Sequence, residues 1–261
     1  MSSFPSIITP ALLSSIRSRA NLPVNTWYFI AATTLSQLNR PDEIQKVYLH
    51  ALGQRPLGAE VAEDGPPAVP SLDEKRDISR RMREALIKAA PVTGVPKTIN
   101  ALLELKNVTP DDLLDEPQGP SPTGRPTDVY NTPITQILKR GQDFFEGIYG
   151  KITKRVMGQM DRSGTEDLGL IARLVYGYIL SNTNVLSAVE TSYVMIAGLI
   201  PQDVNPQLKG HLRGALNGGA TVEEVKAVRS IVMEICIASG MKMLDDQVPA
   251  GFGWRVESAD L

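Results

Sequence analysis

The chain has 261 residues, of which 42% are hydrophobic, and its 27 Lys and Arg against 29 Asp and Glu give a net charge of −2. This length and composition exclude a chain that is disordered throughout, and the absence of a basic block excludes nucleic acid as an expected partner. The single cysteine, Cys236, excludes an intramolecular disulfide, and no stretch reaches the ~20 uninterrupted apolar residues of a membrane helix, so a soluble intracellular protein is expected.

Helical periodicity runs through nearly the whole sequence, and no segment alternates as a strand does. The sequence therefore predicts an all-α fold. In chain order, the predicted helices span residues 10–19, 24–38, 41–52, 73–93, 96–106, 132–148, 151–160, 165–182, 185–200, 205–217 and 222–240.

Capping residues mark several of these helix ends. A threonine before a proline, as in Thr9-Pro10, Thr109-Pro110 and Thr132-Pro133, predicts an N-cap followed by proline at the first helical position. Thr221 with Glu224 fits a capping box, and the double glycine after residue 217 can end the preceding helix.

The N-terminal segment leaves the cellular location open. No acidic residue precedes Asp42, and residues 1–20 carry six serines with Arg17 and Arg19. This composition resembles an organelle transit peptide, and the alternative is a short first helix that begins after Thr9. We expect a cytoplasmic protein, with the mitochondrion or another organelle as the alternative.

Two Pro- and Gly-rich segments, residues 54–72 and 116–131, are expected to be surface loops, and the second divides the chain. Residues 82–99 align with residues 228–245 so that arginines and glycines coincide. The sequence thus predicts a degenerate N-terminal helical copy (1–115), a linker (116–131) and a second helical domain (132–261).

Two polar residues lie on apolar helix faces, where chemistry is expected. His211 follows Leu208 by three residues, and Glu190 follows Leu186 by four. A buried carboxylate is costly without a partner, and His211 is one candidate for it. The alternatives are a core histidine that donates to a backbone carbonyl, and an ion pair of Glu190 with Arg173 or Arg213.

The remaining candidates are weaker. Tyr176 is expected to reach a pocket and bind substrate, although tyrosines on an apolar helix usually belong to the core. His50 is expected to be solvated, and Cys236 to behave as a small hydrophobe rather than a nucleophile. No zinc cluster, phosphate loop or nucleophile elbow is present in the sequence, so neither a metal nor another cofactor is expected.

Residues 140–240 resemble the carboxymuconolactone decarboxylase family. The segments that carry the resemblance are RGQDFFEGIYGKITKRV, IARLVYGYILSN, ETSYVMIAGLI and HLRGALNGGATVEEV. The resemblance implies an alkylhydroperoxidase D-like helical fold that assembles into trimers or hexamers. It matches Glu190 and His211 to the glutamate and histidine of a proton relay, but the family's CxxC pair is replaced here by the turn IPQDVNPQLKG.

The missing cysteines disfavour thiol peroxidase chemistry, which needs an attacking thiolate and a resolving thiol. We therefore expect a cofactor-free lyase that uses Glu190 and His211 in acid–base chemistry on a small organic acid or lactone. One alternative is a non-catalytic oligomeric scaffold or binding protein. Another is antioxidant activity of the alkylhydroperoxidase type without the dithiol.

Overall fold

The computed structural model describes residues 5–54, 69–115, 120–245 and 251–261. The all-α prediction is confirmed: within those residues the only strands are Lys242–Met243 and Gly253–Trp254, which pair in parallel. Most of the first predicted loop lies outside the described residues. No helix in the described parts of the chain is long and apolar enough to cross a membrane.

The helices follow the predicted boundaries within a few residues. They are α1 (Pro10–Arg17), α2 (Trp27–Gln37), α3 (Ile44–Ala51), α4 (Leu72–Thr93), α5 (Val95–Val108), α6 (Arg125–Tyr130), α7 (Ile134–Tyr149), α8 (Thr153–Met160), α9 (Asp167–Leu174), α10 (Ala188–Leu199), α11 (Asn205–Asn217) and α12 (Val222–Ala238). Helix α6 is an addition, because its residues were expected to form a loop. Helix α9 continues into a π-helical segment, Val175–Leu180.

The predicted caps are confirmed at three helix ends and wrong at two. Thr9 accepts the Leu12 N–H, Thr221 forms the capping box, and Gly219 has φ +105° after α11. The Thr109 and Thr132 hydroxyls instead donate to backbone carbonyls of the preceding turn or helix. These two threonines therefore do not act as N-caps, because each hydroxyl donates to a carbonyl that lies earlier in the chain.

The core is built from helices of both halves of the chain. Helices α2 and α10 contact each other, and each also packs against α4 and α12. Both are almost wholly buried, as expected of helices that are apolar on most faces. The two halves share one hydrophobic core, and their division into two copies stays a prediction.

Helix α7 crosses the π-helical segment with the two backbones in contact. A Cβ on Gly141 would lie 2.6 Å from the Gly177 nitrogen and 2.7 Å from its Cα. Any side chain at Gly141 would therefore push the two helices apart. Helices α8 and α9 form a hairpin that packs on α7, away from the central core.

Candidate functional site

Glu190 occupies the third position of α10, where it completes a capping box. Its carboxylate accepts the Ser187 N–H at 2.9 Å, and the Ser187 hydroxyl accepts the Glu190 N–H at 3.2 Å. The same carboxylate forms an ion pair with Arg81 of α4. The observed partner is thus neither His211 nor the two arginines that we considered, and the spacing Ser-x-x-Glu was the signal for the cap.

His211 is buried in α11, as its position on the apolar face predicts, and only 3% of it is exposed. Burial lowers the pKa of His211 to about 4, so the imidazole is neutral at pH 7. The described residues provide no hydrogen-bond partner for its Nδ1, and its ring lies edge-on to Tyr149 at 6.2 Å between centroids. The catalytic roles of Glu190 and His211 stay predictions.

Tyr176 lies in the π-helical segment and does line a cavity. Its hydroxyl lies 3.5 Å from the Tyr149 hydroxyl, and its ring stands edge-on to Phe145 at 4.7 Å. Burial raises the pKa of Tyr176 well above its ordinary value, so the phenol stays protonated at neutral pH. Its role in substrate binding stays a prediction.

The cavity beside Tyr176, here called the hairpin cavity, has a volume of about 590 Å³ and lies between α7 and the α8–α9 hairpin. Its walls are mainly apolar, and they include Leu138, Phe145, Met157 and Tyr176. Charged residues stand among the lining groups as well, namely Lys139, Glu146, Lys154, Asp161 and Arg173.

Most of the cations that line the hairpin cavity are neutralised by neighbouring carboxylates. Arg173 of α9 donates to both carboxylate oxygens of Asp161, at 2.6 and 2.8 Å, and Lys139 pairs with Asp143. A Cβ on Gly169 would lie only 1.8 Å from the Asp161 Oδ1. Glycine at this position therefore lets the ion pair join the two helices of the hairpin.

A buried charge cluster, which the sequence did not reveal, joins α4, α6 and the π-helical segment. Arg125 donates to both oxygens of Glu84 at 2.7 and 2.6 Å, and Lys88 lies 3.8 Å from the same carboxylate. Lys88 is fully buried, and its Nζ donates to the Leu180 carbonyl at 2.7 Å. Burial lowers the pKa of Lys88 to about 7.

These cations stand at the C-terminal end of the π-helical segment, where carbonyls lack helical partners. Arg125 also donates to the Tyr178 and Ile179 carbonyls at 3.1 and 3.0 Å. Arg140 donates to the Gly177 carbonyl at 2.9 Å. The cluster therefore serves to fix the helix end, and Glu84, Lys88 and Arg125 are not among the residues that line the hairpin cavity.

The other side chains singled out in the sequence do not form a site. Cys236 is buried, and burial raises the pKa of its thiol, as expected for a small hydrophobe. His50 is half-buried against Trp27 rather than solvated, and burial lowers its pKa. No group of three potential metal ligands lies together in the described parts of the chain.

Comparison with known proteins identifies two curated relatives. A Schizosaccharomyces pombe protein named Peroxisomal protein 2 is 37% identical over 84% of this chain and 89% of its own length. A Saccharomyces cerevisiae protein of the same name is 31% identical over 81% of this chain and 87% of its own length. No family model matches the chain, and no solved structure gives a significant match.

These findings overturn the assignment to the carboxymuconolactone decarboxylase family, and the lyase function with it, because neither relative carries that name. The segments that suggested the resemblance have local structural explanations. Glu190 caps α10 and pairs with Arg81, while Gly218 and Gly219 end α11. The expected cytoplasmic location is not supported either, since the names of both relatives point to an organelle.

Proposed function

Because the chain belongs to the family of the yeast proteins named Peroxisomal protein 2, we propose that it acts in the peroxisome and binds a small, largely apolar molecule in the hairpin cavity. The location rests on the names of the two relatives. The ligand class rests on the cavity itself, which is the observation that carries the proposal.

The size and lining of the hairpin cavity suit a small ligand. Binding sites for small molecules have volumes of about 300 to 1,000 Å³ and present apolar walls with a few polar groups. The Phe145 and Met157 side chains supply apolar surface here, and Tyr176 is the aromatic residue beside them. Lys154 also lines the cavity and has no ion pair within the described residues, so it can meet the carboxylate of an organic acid.

Binding can be measured with cis-parinaric acid, a fluorescent carboxylic acid with an apolar chain. We expect the Met157→Trp variant, whose larger side chain fills the cavity, to bind this probe at least about tenfold more weakly. Ile171→Trp is the matched control, because it places the same bulk on an exposed position of α9 that does not line the cavity. Equal affinity of the wild-type protein and Met157→Trp would contradict the proposed site.

The cellular location can be tested with the untagged chain, detected by antibody together with a peroxisomal matrix marker. We expect the two signals to coincide. A signal in the cytosol or the mitochondria would contradict the proposed location without affecting the binding experiment.

The resemblance that implied trimers or hexamers is wrong, so it no longer supports self-association, which stays a prediction. One exposed feature supports it: Val95, Ile99 and Leu103 follow one another at four-residue spacing along α5, and each is more than half exposed. Light scattering on the purified protein measures the oligomeric mass directly. A monomeric mass across the concentration range would remove this prediction.

A further inference from the structure

We propose that a second cleft binds a small phosphate-bearing organic anion. This cationic cleft, of about 710 Å³, lies between α11 and the segment that runs from the end of α7 into α8. Four cations line it, and no carboxylate is among its lining residues; the cations are Lys151, Arg155, Lys209 and Arg213. The site is separate from the hairpin cavity, so its proposal does not depend on the proposed function.

The four cations come in two pairs, one from each side of the cleft. Lys151 lies in the 3-10 turn Gly150–Ile152 that leads into α8, and Arg155 lies in the first turn of α8. Lys209 and Arg213 are four residues apart on α11, a spacing at which side chains project from the same side of a helix. Each pair thus presents two positive charges to the same space.

The walls of the cleft are held together by close packing. A Cβ on Gly214 would lie 2.6 Å from the Ile148 side chain, and a Cβ on Gly210 would lie 2.9 Å from the Tyr149 ring. Asn217 of α11 also donates to the Ile148 carbonyl at 2.8 Å. The two sides are therefore fixed relative to one another before any ligand arrives, which lowers the entropic cost of binding.

The four cations are exposed, and none forms an ion pair or a side-chain hydrogen bond within the described chain. The arginine at the hairpin cavity behaves differently, because Arg173 is neutralised by Asp161. Four uncompensated charges around one concave surface attract anions, in a protein whose overall net charge is −2.

The chemistry of the lining residues defines the ligand further. Arginine and lysine together are the side chains that bind phosphate groups, through charge-assisted hydrogen bonds. The Tyr149 ring with Ile152 and Val156 adds aromatic and apolar surface to the same cleft. A soluble molecule with a phosphate group and a ring, such as a nucleotide, satisfies both kinds of surface. The concave shape favours such a ligand over a flat membrane.

Isothermal titration calorimetry at low ionic strength measures the affinity of this site for ADP and for pyrophosphate. We expect ADP to bind, and the double variant Arg155→Gln/Lys209→Gln to bind it at least about tenfold more weakly. The matched control is Lys106→Gln/Lys226→Gln, which removes the same charge from exposed positions elsewhere. Circular dichroism establishes that both variants are folded.

Several results would overturn the proposal. They are the absence of ADP and pyrophosphate binding, equal affinity in the wild-type protein and the cleft variant, and equal weakening by the control variant. Preferential binding to phosphatidylserine vesicles or to single-stranded DNA would replace the small ligand with a lipid headgroup or a nucleic acid. Met157→Trp is expected to leave ADP binding unchanged, so a failure at the hairpin cavity is distinguishable from a failure here.

Discussion

The central core contains charged side chains that are fully buried, whereas the α8–α9 hairpin contains none. In the core, Glu84 and Lys88 are buried completely and each has partners within hydrogen-bonding or ion-pair distance. In the hairpin, α8 buries no residue and α9 buries only Gly169. Both candidate cavities adjoin the hairpin and neither reaches the buried cluster. We therefore expect the first region to contribute most of the stability and the second to adjoin the proposed ligand sites.

The largest expected effect is on the buried cluster of the core. We expect Glu84→Gln to lower the free energy of unfolding by about 3 to 5 kcal/mol, because the fully buried Lys88 and the partly buried Arg125 would lose their shared carboxylate. Urea unfolding measures this loss. Asp143→Asn, in the exposed pair with Lys139, is the control and should cost at most about 1 kcal/mol. Equal losses would mean that burial of the cluster does not increase its contribution to stability.

The pH dependence of stability tests the burial of His211. Its folded pKa of about 4 lies below the ordinary value of 6.5, so the unfolded chain binds a proton first as the pH falls. Neutral His211 therefore favours folding above pH 6.5, and this contribution is lost progressively down to about pH 4. At 1.36 kcal/mol per pKa unit the loss is roughly 3 kcal/mol.

The measurement is urea unfolding of the wild-type protein and His211→Leu at several pH values between 7 and 4. Leucine does not titrate, so the difference between the two curves isolates the histidine from the carboxylates that titrate in the same range. Parallel curves would mean that folding does not change the pKa of His211.

A smaller effect is expected at Glu190, which lies at the edge of the core. We expect Glu190→Ala to cost about 1 to 3 kcal/mol, because it removes the capping box of α10 and leaves Arg81 without its carboxylate. Asp161→Ala removes the carboxylate of Arg173 in the more exposed hairpin and should cost at most about 1 kcal/mol. A larger loss for Asp161→Ala than for Glu190→Ala would mean that the ion pair in the hairpin contributes more to stability.

The smallest effect on global stability is expected at Gly169. Gly169→Ala would displace Asp161 from Arg173, so we expect faster hydrogen exchange in α8 and α9. The free energy of unfolding should change by only about 0.5 kcal/mol. Gly147→Ala on α7 is the control, since a Cβ there meets nothing within 4 Å. Exchange that is unchanged in the hairpin, or that rises throughout the chain, would contradict this expectation.

The helices were predictable from sequence because their periodicity and caps are local properties. The boundaries of α11 coincide with the prediction, and most of the others differ by a few residues. The exceptions depend on tertiary contacts. Helix α6 forms in a Pro- and Gly-rich segment whose first helical residue, Arg125, is bound by a carboxylate of distant α4.

The candidate sites were less predictable for the same reason. Tyr176 lines the hairpin cavity, and its role in substrate binding stays a prediction, while the positions of Lys151 and Arg155 relative to α11 depend on how distant segments pack. Glu190 was read as a carboxylate on an apolar face, although Ser187 three residues earlier indicates a cap. Its partner, Arg81, lies more than a hundred residues away, and sequence spacing holds no signal for such a pair.

The backbone contact between Gly141 and Gly177 has a mechanical consequence. The two helices meet at this point without intervening side chains, so the α7 backbone behind the hairpin cavity has no room to move closer to the π-helical segment. The opposite wall, formed by α8, is attached largely through surface contacts. The wall formed by α8 is therefore the one that can move more easily. Ligands of different widths would be accommodated by displacement of α8, while the α7 backbone keeps its position.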